Sequence, residues 1–231
     1  MAKTSATKRQ ITYSVHPAVG FLEAIVTNLP DKTGRSLDQW LALIKKEGPT
    51  AEAEQVKWLK TRHSLGGTTA GLIAERAQGK GEENSDGALY VRAAAGYVEA
   101  MYAGPKADLR PLHDALIELV RSLGDDVKIC PCTTIVPFYR EHVFAQIKPT
   151  TRTRIDFGLA LKGVMKKVPK RLIDTGGLQK GDRITHRIPI TAPAEIDAEV
   201  REWAEIAYEL DGAAPSTRAP SSRASAKLKK K

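Results

Sequence analysis

Arg154-Ile-Asp-Phe-Gly-Leu-Ala-Leu161 puts Ile155, Phe157, Leu159 and Leu161 on one parity and Arg154, Asp156, Gly158 and Ala160 on the other. Period-two alternation marks a strand with one face on a core and the other toward water. Upstream, Val143, Ala145 and Ile147 repeat the pattern, and Ile135 to Tyr139 is apolar almost throughout. Arg140 to His142 is short enough for a hairpin turn. Downstream, Ile184 to Ile190 supplies a closing strand, so the stretch from Val127 to Ile190 is expected to form an antiparallel meander.

Everything before this stretch has helical spacing. Pro17 opens a helix with Phe21, Leu22, Ile25, Val26 and Leu29 on one side, and Pro30 is expected to end it. Ser36 followed by Gln39 has the form of a capping box, ahead of a stripe of Leu37, Trp40, Leu41 and Ile44. A third helix over 51–63 buries Val56 and Leu59 with Trp58 near the rim, and a fourth carries Ala70, Ile73, Ala74 and Ala77. Helical runs resume from Leu89 to Met101 and from Leu109 to Leu123, and a last one, from about Ala194 to Leu210, has the spacing to back the sheet.

The fold class expected is therefore α+β: an all-α N-terminal helical domain, then an α+β domain with an antiparallel sheet backed by helices. Gly79 to Gly87 has no apolar residue and marks the boundary. The divisions are a leader over 1–10, a helical domain over 11–79, a linker over 80–87, an α+β domain over 88–212 and a disordered basic tail over 213–231.

Charge separates these parts further. The 231 residues hold 36 Lys and Arg against 27 Asp and Glu, a net charge of +9. Six of those positive charges, Arg218, Arg223, Lys227, Lys229, Lys230 and Lys231, lie in a tail with no acid and too few apolar residues to fold. Such a tail fits nonspecific nucleic-acid association, or simply solubility. No apolar run reaches membrane-spanning or signal-peptide length, and two close cysteines fit a reducing compartment, so a cytoplasmic protein without membrane contact is expected.

Two stretches carry a resemblance. Thr33-Gly-Arg-Ser-Leu-Asp-Gln-Trp-Leu-Ala-Leu-Ile-Lys-Lys-Glu-Gly48, with Trp58-Leu-Lys60, His63, Leu65-Gly66, Ala70 and Ile73, resembles a small helical domain of uncharacterised bacterial proteins. Phe144-Ala-Gln-Ile-Lys-Pro149, Thr153-Arg-Ile-Asp-Phe-Gly-Leu159, Leu161-Lys-Gly163 and Thr185-His-Arg187, followed by Trp203 and Ala207-Tyr208, resembles a second domain of unknown function, sometimes labelled "predicted transport protein". The resemblance implies a two-domain bacterial protein and carries no established activity. A transport role fits poorly with a chain lacking any membrane segment.

Candidate sites are few. Lys148, Arg154, His186 and Arg187 could converge from one sheet surface as an anion, phosphate or nucleotide site of a binding or enzymatic domain, the arginines giving planar forks and the histidine a further donor. The plainer alternative for His186 is a strand-end imidazole bonded to a backbone carbonyl. Cys130 and Cys132 are half a zinc shell, which His113, His142 or His186 would have to complete; buried structural cysteines are the simpler reading. The five histidines show no metal-binding spacing, and no cofactor motif is present.

Gly66-Gly67-Thr-Thr-Ala-Gly71 lacks the Lys-Ser/Thr pair of a phosphate loop and reads as a helix-helix turn with Thr68 as N-cap. As a helix-turn-helix it would need Thr68, Thr69, Arg76 and Gln78 in a DNA groove, where Glu75 would repel phosphate. Asp125 and Asp126 are expected to face water, and Trp58 offers an aromatic for a protein-interaction adaptor. Asp156 has no E-x-K or D-x-K partner downstream and no G-x-S-x-G occurs, so catalysis has no support in the sequence.

Overall fold

The computed structural model describes residues 12–164 and 169–212. The leader 1–10 and the basic tail 213–231 lie outside the described residues.

The helical region comprises α1 (Pro17–Thr27), α2 (Leu29–Thr33), α3 (Leu37–Glu47), α4 (Glu52–Arg62), α5 (Gly67–Ala77), α6 (Gly87–Met101) and α7 (Arg110–Arg121). Pro30 does not end the first helix. α1 stops at Thr27, and Pro30 sits in the first turn of α2, where its missing N–H costs nothing. The expected capping box starts α3: the Gln39 amide donates to Ser36 Oγ at 3.3 Å and the Ser36 amide to Gln39 Oε1 at 2.8 Å. α5 begins one residue before the expected cap, with Gly66 at the N-cap position and Thr68 inside the first turn.

Apolar packing divides into two principal clusters. Leu29, Trp40, Ile44, Leu59, Leu72 and Ile73 form the first, between α2 and α5. The second joins α6, α7 and a last helix, α9 (Ala198–Gly212), to the sheet, with Leu116, Ile147, Phe157, Ile188 and Ala204 fully or almost fully buried. Val19, Tyr90 and Ala94 form a small third cluster between α1 and α6. The 80–87 segment carries a 3-10 turn at Glu82–Ser85, held by Asn84 donating to Glu75 and Arg76 to Ser85 Oγ.

Among the described residues the sheet has six strands in the order β1-β2-β3-β4-β6-β5, antiparallel in every pair. The strands are β1 (Lys128–Ile129), β2 (Val136–Tyr139), β3 (Val143–Pro149), β4 (Ile155–Leu159), β5 (Ile173–Asp174) and β6 (His186–Ile190). The meander therefore holds from β1 to β4. β6 then pairs with β4, and β5, followed by the single-turn α8 (Gly177–Lys180), takes the edge. A register shift at Phe138/Tyr139 accompanies burial of both Phe144 and Ala145 on β3.

β4 departs from the alternation expected of it, because all five of its residues are buried. Ile155, Phe157 and Leu159 pack into the second cluster. Asp156 and Gly158 are covered on the opposite face by side chains from outside the strand, chiefly arginines and Ile184. The final helix is also split: Pro193–Glu195 is a 3-10 turn, and α9 starts after Asp197, whose carboxylate accepts from the Val200 amide at 3.1 Å.

Candidate functional site

Register fixes which side chains share the sheet face away from the helices. Gln146, Gly158 and Arg187 lie opposite one another across β3, β4 and β6, and Lys148 lies opposite Asp156. One step further, the Thr150 amide bonds the Arg154 carbonyl at 3.1 Å, which brings Thr150 and Arg154 together at the hairpin end. Directly opposed residues project from the same face of a sheet, so the polar parity of β3 and β4 becomes a band of Lys148, Thr150, Arg154, Asp156 and Arg187.

Asp156 organises that band. It is 8% exposed. Its Oδ1 stands 2.9 Å from Arg154 Nε, and its Oδ2 accepts from Thr150 Oγ1 at 2.8 Å and from Arg187 Nη1. One carboxylate thus holds two guanidinium groups and can neutralise only one of them. Lys148 lies beside it without an ion-pair partner among the described residues. The band borders a hollow of about 250 Å³, lined by Gln146, Lys148, Asp156, Thr175, Ile184 and Arg187. Gly158 lies in this lining too: a Cβ there would come within 2.8 Å of Ile184 Cγ2 and 2.9 Å of Gln146 Cγ.

The structure therefore brings Lys148, Arg154 and Arg187 together and leaves His186 apart. His186 pairs with Leu159, one residue out of phase with the Gly158 to Arg187 pair, so it projects to the other face. The Thr185 hydroxyl accepts from the Leu161 amide at 3.0 Å and lies 2.9 Å from His186 Nδ1. The imidazole is thus held by a neighbouring hydroxyl instead of a backbone carbonyl. Thr150 and Gln146, absent from the sequence-based set, were readable as the remaining members of the Lys148 parity. Thr175 carried no such signal, since it arrives from the edge segment.

The other candidates take structural positions. Cys130 Sγ donates to the Val15 carbonyl at 3.7 Å and Cys132 Sγ to the Cys130 carbonyl at 3.8 Å; burial pushes the Cys130 thiol up to about 12. His113 packs against Tyr102, with Nδ1 3.1 Å from the hydroxyl, and His142 meets Asp211, so neither histidine turns toward the cysteines. Among the described residues no three His, Cys, Asp or Glu side chains are grouped to hold a metal ion.

Two residues needed for a DNA-reading helix are committed elsewhere: Arg76 donates to the Glu82 carbonyl and Ser85, and Gln78 to the Thr50 carbonyl and Gln55 Oε1. Trp58 is half-buried and meets the His63 ring edge-on at 4.5 Å. Asp126 is not simply in water. It accepts from Tyr208 Oη and Arg140 Nε, each at 2.7 Å, and those two bonds hold its carboxyl below the usual range.

Asp211, 2% exposed, accepts the His142 amide at 2.8 Å and Arg183 Nη2 at 2.6 Å, tying the end of α9 to the β2–β3 turn and to the approach to β6. A hollow of about 300 Å³ lies beside it, but both carboxylate oxygens are engaged by the protein itself.

No helix among the described residues is long and apolar enough to cross a membrane. The transport label finds no counterpart in what the chain matches. Comparison with curated proteins and with solved structures finds no match. Two family models do match, both described as domains of unknown function: DUF4287 over residues 22–78 and DUF5655 over residues 98–211. The first covers the cluster built on α2 to α5, and the second covers the sheet with the Asp156 band and nearly all the helices that back it. The chain therefore carries, in order, a member of the DUF4287 family and a member of the DUF5655 family.

Proposed function

We propose that this is a binding protein whose C-terminal α+β part takes a phosphate-bearing anion on the polar face of its sheet. The observation that carries the reading is the pairing of Arg154 and Arg187 with a single carboxylate, Asp156, with Lys148 opposite it on an open hollow. Cations in excess over a fixed carboxylate keep a positive field, and arginines already held in place lose little freedom on meeting an oxyanion. Asp156 then acts as a positioning residue, and His186 has no part in the site. Asp156 is taken up by two guanidinium groups and the Thr150 hydroxyl, which suits it to anchoring the arginines and favours binding over catalysis.

Titrating the full chain with inorganic pyrophosphate tests this. Binding weakened at least tenfold in Lys148→Ala and in Arg187→Gln, with unchanged far-UV spectra, is the expected result. Equal affinity in parent and variants would remove the site.

A second reading rests on the tail. Arg218, Arg223, Lys227, Lys229, Lys230 and Lys231 form a segment without acids, suited to nonspecific nucleic-acid association in a cytoplasmic setting. Six phosphate contacts would give a log-log salt slope of about −5 for duplex DNA. Deleting residues 213–231 should abolish retention on DNA at low salt, and undiminished retention would end this reading.

A further inference from the structure

Lys148 also borders a second hollow, of about 550 Å³, at the turn end of the β3–β4 hairpin. Its apolar part comes from Ala100, Met101, Ala103 and Pro105, where α6 runs into the 3-10 turn at Gly104–Leu109, and from Pro149. Its polar rim differs in kind: Lys106, Lys148 and Arg152 contribute three cations and no acid, with Thr133, Thr134 and Thr150 beside them. Lys106 Nζ donates to the Pro149 carbonyl at 2.7 Å, so the helix end and the hairpin are tied together across it. Arg152 has no ion-pair partner among the described residues. Thr150 faces this hollow and also bonds Asp156, linking its wall to the arginine band.

From this juxtaposition, and resting on the anion reading above, we infer that the ligand is a nucleoside phosphate. Its flat ring system lies on the apolar floor between Ala103 and Pro149, and its phosphates pass Lys148 toward Arg187. Apolar area is of no use to inorganic phosphate, and a purely apolar ligand would leave three cations at the rim unmatched. A molecule with a weakly polar ring at one end and two or three phosphates at the other satisfies both parts. Thr133 and Thr134 supply hydroxyls to a sugar or to ring heteroatoms. The hollow is large enough for a mononucleotide, within the range that small-ligand pockets occupy.

Calorimetric titration of the full chain with inorganic pyrophosphate, adenosine diphosphate, guanosine diphosphate and a short single-stranded oligonucleotide separates the possibilities. The variant of choice is Ala103→Trp, because Ala103 is exposed and a large ring there fills the hollow without touching Arg154, Asp156 or Arg187. At least one nucleoside diphosphate is expected to bind tenfold or more tightly than pyrophosphate. Ala103→Trp should erase that advantage while leaving pyrophosphate affinity as in the parent. Equal affinities for pyrophosphate and both diphosphates in the parent would overturn the inference and leave the anion reading standing. Absence of binding by any of them would overturn both. Binding of the oligonucleotide alone would replace a nucleotide site by a polynucleotide track.

Discussion

At the scale of single residues, His113 shows how burial sets charge. It is fully buried on α7, its Nδ1 lies 3.1 Å from the Tyr102 hydroxyl, and its Nε2 has no hydrogen-bond partner among the described residues. Desolvation pushes its pKa down to about 4; the Arg110 charge adds to this, while Asp114 and Glu99 oppose it more weakly. The unfolded chain takes up the proton near the ordinary imidazole value of about 6.5. Stability from a neutral His113 is therefore complete above that value and is lost as pH falls toward 4. By linkage the loss amounts to about 3 kcal/mol. Urea denaturation from pH 7.5 to 4.5 should show this slope, and His113→Phe should flatten it. An unchanged slope in the variant would assign the acid sensitivity elsewhere.

Lys148, Arg154 and Arg187 were legible in the sequence as cations around a strand. What the sequence could not give was the parity of β6 relative to β4. A shift of one residue exchanges His186 for Arg187 on the polar face, and only the pairing of Gly158 with Arg187 settles it.

Elements were legible where their signals are local. The Ser36 to Gln39 box lies within a single turn, and its two reciprocal bonds are present. Ser36→Ala should destabilise the chain by about 1 kcal/mol in chemical denaturation, and Ser36→Asp by much less, since aspartate caps as well as serine. Equal losses would mean that Ser36 matters for something other than its oxygen. Pro30 was read as a stop because proline breaks helix interiors, yet the same residue suits the first turn of a new helix, and the sequence does not choose between them.

The full burial of β4 was not legible. Its polar parity is covered by Arg154 and Thr150 from the hairpin, by Arg187 from β6 and by Ile184 from the segment leading into β6. The last two come from far along the chain, and no windowed pattern reports such contacts. Gly124 makes the same point. A Cβ there would lie 2.1 Å from Tyr208 Oη, a contact set by α9 and invisible in the turn's own sequence.

For the molecule as a whole, the segment ahead of α1 lies against the sheet. The Ser14 amide bonds the Ile129 carbonyl at 2.8 Å, and His16 Nε2 is 3.0 Å from Tyr139 Oη while its Nδ1 accepts from the Ala18 amide. One imidazole thus caps α1 and touches β2. Together with Val19, Tyr90 and Ala94, this packing joins residues near the start of the chain to elements from its second half. The composition of residues 79–87 suggested a boundary there but carried no sign of this strap, which depends on hydrogen bonds between residues more than a hundred positions apart.

Charge is the other property of the whole chain: of the net +9, residues 213–231 carry +6 and residues 1–212 carry +3. Amide chemical-shift mapping of the full chain with pyrophosphate compares the two directly. Saturable shifts are expected at Gln146, Lys148, Gly158 and Thr175, with residues 213–231 unaffected at moderate salt. Shifts confined to residues 213–231, with the β3 and β4 amides unmoved, would contradict it.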